Sequence, residues 1–177
     1  MGQQPTLRTL IFTGDGKGKT TAAFGMAFRA LGHRYRVRVV QFIKTDTQTG
    51  ESLFSRNNSI LEIDQVGIGF VPKRSHPKFD QHVDAAASGL QIAQRALTSD
   101  ETDLVILDEI CTAVHLALLQ ESDVIDVIKT AVPPKIIVLT GRGATPKLMD
   151  IADTVTEMKC IKHAYQSGVK AQQGVEF

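Results

Sequence analysis

The sequence predicts an α/β protein with a mostly parallel central sheet covered by helices on both faces, in one domain over residues 1–177. Three observations predict it. Short apolar, β-branched runs recur: LRTLIF (7–12), VRVVQFI (37–43), LVIL (104–107) and IIVL (136–139). Stretches of helical periodicity lie between them. Glycines or acids cluster where the runs end, and in such sheets ligands bind at the carboxyl ends of strands.

Taken in order, 7–12 is the first strand and leads directly into a glycine loop. Residues 20–31 form a helix with Phe24, Phe28 and Leu31 on one face, and Gly32 stops it. Residues 37–43 form the second strand. The polar stretch 44–59 is a long loop, which in a compact domain points to function. Residues 60–66 are a strand, followed by an irregular segment rich in Gly, Pro and basic residues around Phe70. A helix spans 79–97, with Val83, Ala86, Leu90, Ala93 and Leu97 at helical spacing.

The strand 104–107 runs into Asp108-Glu109. Helices follow at 114–119 and at 123–131, the second capped by Ser122 and broken by Pro133-Pro134. The strand 136–139 ends in Thr140-Gly141-Arg142-Gly143. A short helix at 146–151 and a strand at 154–158 complete the count. The remaining tail is irregular, with an edge strand as the alternative.

Composition narrows the class. Hydrophobic residues make up 42%, against a disordered or fibrous chain. With 20 basic and 19 acidic residues, net charge +1, there is no electrostatic footprint for nucleic acid or an anionic membrane. Cys111 and Cys160 form no C-x-x-C pair and read as reduced thiols of a cytoplasmic protein. No apolar run is long enough to span a bilayer, and the first ten residues lack a signal-peptide core. Gly2 and Thr6 match a loose acylation pattern, read here as chance. His33, His76, His82, His115 and His163 lack metal-ligand spacing and read as structural or solvent-facing.

The loop TGDGKGKTT, residues 13–21, carries the chemistry. Its glycines let backbone amides approach a polyphosphate, and the following helix adds its positive end. Gly18, Lys19 and Thr20 fill the last places of G-x-x-x-x-G-K-[ST], whereas its first place falls on Thr13. Gly14, Asp15, Gly16, Lys17, Gly18, Lys19, Thr20 and Thr21 are the expected nucleotide-binding residues. Lys19 supplies a point charge between phosphates, and the Thr20 hydroxyl is placed for Mg²⁺. Asp108 and Glu109, at a strand end, bring carboxylates to the same ion, with the direct ligand left open. Arg142, between two glycines, offers paired donors to a phosphate oxygen. These residues define a Mg²⁺-dependent P-loop nucleotide enzyme. A small kinase, a RecA-type ATPase and a non-catalytic binder remain alternatives at this point.

Beyond the loop, several stretches resemble the ATP:corrinoid adenosyltransferases of coenzyme B12 synthesis. They are TGDGKGKTTAAFG from Thr13, VVQFIK from Val39, the Gly50-Glu51 pair, GFVP around Phe70, DLVILDE from Asp103, TGRG from Thr140, and IKHAYQSGVKAQQGVEF from Ile161. The last is far more specific than a phosphate loop, and Thr13 at the first loop position is also a family trait. The resemblance implies a three-layer P-loop NTPase (RecA-like) fold. It implies transfer of the 5′-deoxyadenosyl group of ATP to the Co(I) of a corrinoid, with triphosphate leaving. Lys19 and Arg142 would balance the triphosphate charge; Thr20 and Glu109 would bind Mg²⁺, with Asp108 in support. Phe70 matches an apolar wedge against the lower face of the corrinoid. The second family wedge, often a tryptophan two residues on, is Pro72 here, and the chain has no tryptophan. The resemblance further implies a homodimer, a flavoprotein reductase delivering Co(I), and a leading segment that covers the site. That cover would here be lost, supplied by a dimer mate, or replaced by the 44–59 loop.

Overall fold

The central strands are apolar on both faces because each face meets its own core. The computed structural model describes residues 6–46 and 48–177; Gly2, the start of the acylation-like pattern, lies outside them, as does Thr47 in the predicted long loop. The elements are β1 (Leu7–Thr13), α1 (Lys19–Gly32), β2 (Val37–Gln41), α2 (Gly50–Ser55), β3 (Leu61–Gln65), α3 (Phe79–Thr98) and β4 (Leu104–Asp108). After these come α4 (Ile110–His115), α5 (Glu121–Lys129), β5 (Lys135–Thr140), α6 (Pro146–Asp150), β6 (Thr154–Glu157) and a single 3₁₀ turn, Ala164–Ser167.

Along the strands, Val39, Ile106 and Val138 pack into one core, while Val40, Val105, Leu107, Ile137 and Leu139 alternate into the other. The first core is closed by Ala23, Ala27 and Ala30 of α1. The second is closed by α3, α4, α5 and α6 through residues such as Ala93, Leu97, Ile110, Val124, Ile128 and Leu148. This is the expected three-layer arrangement, a sheet between two helical layers. The sheet order is β3-β2-β4-β5-β1-β6, and every strand pair is parallel. All six carboxyl ends therefore open on one edge.

Four local expectations are corrected, and one alternative is removed. The inner face of α1 is its alanine stripe, whereas Phe28 is 77% exposed and Phe24 and Leu31 pack only at the margin; small side chains let the helix lie close on the sheet. The 44–59 stretch is not all loop, since α2 forms within it, capped by Thr49 Oγ1 accepting from the Ser52 amide. Helix α4 starts directly after Glu109 rather than at 114, because Glu109 turns the chain with φ 64°. Helix α5 is entered at Gln120, not capped by Ser122; its first turn carries Glu121 and Asp123, which favour the positive helix end. The tail after β6 is irregular as expected, with the 3₁₀ turn and hydrogen-bonded turns at 173–176, and the edge-strand alternative does not form. No helix among the described residues is long and apolar enough to cross a membrane.

Candidate active site at the carboxyl edge of the sheet

The glycine loop leaves β1 at Thr13 and enters α1 at Lys19. Gly14 (φ 93°) and Gly18 (φ 117°) hold backbone conformations that favour glycine. A Cβ on Gly14 would also meet the Met158 carbonyl oxygen at 2.4 Å, and the Gly16 amide donates to that same oxygen at 2.7 Å. The loop thus rests on the exit of β6. Thr13, the departure from the loop pattern, accepts from the Ala144 amide at 3.2 Å and so ties the loop to the turn after β5. Gly18 caps α1 without a side chain, so no side chain competes for the first-turn amides. Gly14→Ala is expected to cost about 1–3 kcal/mol through strain and the collision with Met158. The check is the thermal midpoint, which falls by about 2–4 °C per kcal/mol lost in a chain of this size.

Lys19 is 7% exposed, and its Nζ donates to the Gly14 and Gly16 carbonyls at 2.7 Å each. Burial lowers its pKa, with Glu109 the strongest opposing charge. Thr20 Oγ1 donates to Asp108 Oδ1 at 2.8 Å, which leaves the oxygen lone pairs of Thr20 open to a cation. Asp108 is fully buried at the end of β4 and its acceptors are occupied. Thr20 and Thr140 donate to Oδ1 at 2.8 Å each, Gln41 Nε2 donates to Oδ2 at 3.0 Å, and Lys44 Nζ stands 3.6 Å from Oδ2. Glu109 is half-buried and faces the cleft; its Oε2 accepts from Thr112 and its amide donates to Thr140 Oγ1 at 2.9 Å. Hydroxyls and carboxylates form an all-oxygen donor set, which suits a hard cation such as Mg²⁺ sharing its shell with phosphates.

Arg142 turns out of β5 beside this group, its amide donating to Thr112 Oγ1 at 2.9 Å and its Nε 4.0 Å from Asp15. Lys19, Glu109, Thr112 and Arg142 line one recess of about 390 Å³. It adjoins a cleft of about 430 Å³ lined by Gly18, Lys19, Thr20, Thr21, Lys44 and Glu51 among others, a size suited to a small ligand. The predicted residues of the loop, β4 and β5 are therefore brought together. Lys17 differs, because its ammonium is held by residues 175 and 176 rather than by the cradle. Phe70 is 93% exposed on the segment after β3, which excludes a core-packing role, and it does not line the 430 Å³ cleft.

Sequence reasoning missed a polar row behind the site. The sheet register aligns Gln41 with Asp108 on one side and with Gln65 on the other. Gln41 Nε2 therefore reaches Asp108, while Gln65 Nε2 donates to Gln41 Oε1 at 2.9 Å and to Ser52 Oγ at 3.2 Å, linking α2 to the site. Lys44 lies between Glu51, at 3.3 Å, and Asp108. The available signal was a glutamine closing each of two neighbouring strands, VRVVQ and LEIDQ. One further contact isolates a thiol. Cys111 is buried in α4, its pKa pushed up to about 12 by burial and by the charge of Glu109, whereas Cys160 is exposed. A thiol reagent is expected to titrate one thiol per native chain and both after unfolding. Two fast-reacting native thiols would show that α4 does not seal Cys111.

The fold and the loop define an α/β protein of the P-loop NTPase fold class. Its architecture is similar to that of the flagellar accessory protein FlaH from Methanocaldococcus jannaschii, with TM-score 0.53 and 18% identity over 86% of this chain and 71% of that one. The profile of the family described as ATP:corrinoid adenosyltransferase BtuR/CobO/CobP matches residues 7–177. The chain is 40% identical over 169 residues to a corrinoid adenosyltransferase of Pseudomonas aeruginosa, covering 95% of this chain and 82% of the relative. It is 38% identical over 168 residues to the corrinoid adenosyltransferase CobA of Salmonella typhimurium, covering 95% and 84%. The chain belongs to the ATP:corrinoid adenosyltransferase family.

Proposed function

We propose that this enzyme transfers the 5′-deoxyadenosyl group of ATP to the Co(I) centre of a corrinoid, with intact triphosphate as the leaving group. The observation that carries the reading is the joined cradle: Lys19 buried in the glycine loop, Thr20 bonded to Asp108, and Arg142 at the same edge, within a chain of this family. The lone pair of Co(I) forms the Co–C5′ bond as the C5′–O5′ bond breaks, and the bonding electrons leave on the triphosphate oxygen. Cobalt belongs to the substrate and is the nucleophile, so no side chain need act as one. The protein orients ATP, offsets charge on the departing oxygens and excludes water.

In this reading the loop residues 14–21 hold the triphosphate, and Lys19 and Arg142 offset its charge. The Thr20 oxygen and Glu109 hold Mg²⁺, which when bound neutralises part of the triphosphate charge. Asp108, its acceptors filled, acts by orienting Thr20. Phe70, 93% exposed, offers the apolar surface for the lower face of the corrinoid, followed in the chain by the half-buried Val71 and Pro72. The same reading carries a cytoplasmic homodimer served by a flavoprotein reductase that delivers Co(I).

The test is anaerobic mixing of the protein, MgATP and chemically reduced corrinoids, from cobalamin to cobyrinic forms. The expected result is an absorbance change to a light-labile Co–C species with at least one of them. Turnover of ATP to ADP with no such species on any corrinoid is the result that would overturn the reading in favour of a kinase or ATPase.

A further inference from the structure

We propose that Phe177 stacks on the adenine ring of ATP, and that Lys17 and Glu176 form the clasp that holds it there. The inference rests on the reading of the cleft as the ATP site and adds to it a residue that selects the base.

Residues 174–177 line the same 430 Å³ cleft as Lys19, Thr20 and Thr21. They are a folded element. The Gly174 amide donates to the Phe177 carbonyl at 2.7 Å, and the Gln172 amide donates to Glu176 Oε2 at 2.8 Å. The Val175 and Glu176 amides both donate to the Gln172 carbonyl, at 3.1 and 2.9 Å. Lys17 fastens this turn to the phosphate loop. Its Nζ donates to the Val175 carbonyl at 2.6 Å and stands 3.8 Å from Glu176 Oε1. A loop lysine that the glycine pattern would assign to phosphate is thus used to hold the wall of the cleft.

Lys17, Lys19 and Lys44 line the cleft together with Glu51, Glu109 and Glu176, and Phe24 and Phe177 supply its aromatic surface. A triphosphate joined to a purine is complementary to lysine ammoniums beside an aromatic ring. Phe24 is half-buried and packs partly against the margin of the core beneath α1, whereas Phe177 belongs to neither core and is 41% exposed, so its ring is the more accessible of the two to a base. Stacking on an aromatic ring is tolerant of ring type but needs a planar base, so inorganic triphosphate gains nothing from it.

The experiment compares MgATP with magnesium tripolyphosphate by calorimetry, without corrinoid, on the wild type and on Phe177→Ala with its thermal midpoint verified. The expected result is about tenfold weaker ATP binding with tripolyphosphate affinity unchanged. Equal weakening of both ligands, or no weakening of either, would overturn the proposal. A second readout uses the absence of tryptophan from the chain. In Phe177→Trp the single indole is expected to be quenched by ATP and left unchanged by tripolyphosphate; quenching by both, or by neither at saturation, contradicts stacking. Because no corrinoid is present, a failure of adenosyl transfer leaves this result standing, and a failure here leaves the transfer reaction untouched.

Discussion

Lys19→Ala is expected to lower kcat/KM for adenosyl transfer by at least about 10³-fold while leaving the fold intact. The Lys19 ammonium sits inside the loop on the Gly14 and Gly16 carbonyls, where a shielded charge acts on departing oxygens far more strongly than in water. Among the described residues the neighbouring cations are placed otherwise: Arg142 is exposed at the rim, Lys17 is held by Val175 and Glu176, and Lys44 is engaged by Glu51 and Asp108. The fold survives because the change also removes the desolvation of a buried cation. The same desolvation holds the Lys19 pKa below 10.5 in the folded state, so the unfolded chain binds the proton more readily. Wild-type stability therefore rises with pH as 10.5 is approached from below, a slope that Lys19→Ala lacks. Single-turnover kinetics with unfolding curves test both parts. Normal turnover by a folded variant would remove Lys19 from the phosphate role.

Asp108→Ala is expected to damage stability and activity together. It leaves Thr20, Thr140 and Gln41 without their shared acceptor and Lys44 without one of its two carboxylate partners. Removing one member of such a buried charged group costs about 3–5 kcal/mol. In a chain of this size that corresponds to a thermal midpoint lower by about 6–20 °C. Asp108→Asn keeps the shape and so isolates chemistry from folding: transfer is expected to fall at least about 10²-fold with a smaller loss of stability. An Asp108→Asn enzyme with wild-type turnover would mean that Thr20 needs no carboxylate to orient it.

The parts of the fold that could be read directly are those in which one periodicity governs a long segment. Helix α3 follows its apolar spacing from Phe79 to Thr98, and β4 and β5 are continuous apolar runs because both faces are covered. The misreadings fall where tertiary geometry overrides local pattern. The large residues Phe24 and Phe28 outweigh alanines in any hydrophobic count, yet contact with a flat sheet favours Ala23, Ala27 and Ala30. Helix α4 has no capping side chain to announce it, because Glu109 redirects the chain through its own left-handed backbone. Helix α2 is too short for a period to show.

At the site, the residues announced by sequence were those tied to a local motif: the glycine loop, the acids after β4 and the arginine after β5. Gln41 and Lys44 stand in the VVQFIK stretch and residues 172–177 in the quoted tail, but nothing local in those stretches, or around Gln65, told that they meet the glycine loop and Asp108. Gln41 meets Asp108 only because the parallel register places Val37 opposite Leu104 four residues earlier. The turn at residues 172–177 meets Lys17 only after the chain has traversed all six strands.

The most direct measurement of the central claim is the identity of the phosphate product in a single anaerobic turnover with reduced corrinoid, resolved by phosphorus NMR. Adenosyl transfer predicts triphosphate in one-to-one proportion with the new Co–C bond. ADP with phosphorylated product, or ADP and free phosphate without a Co–C bond, would contradict the account.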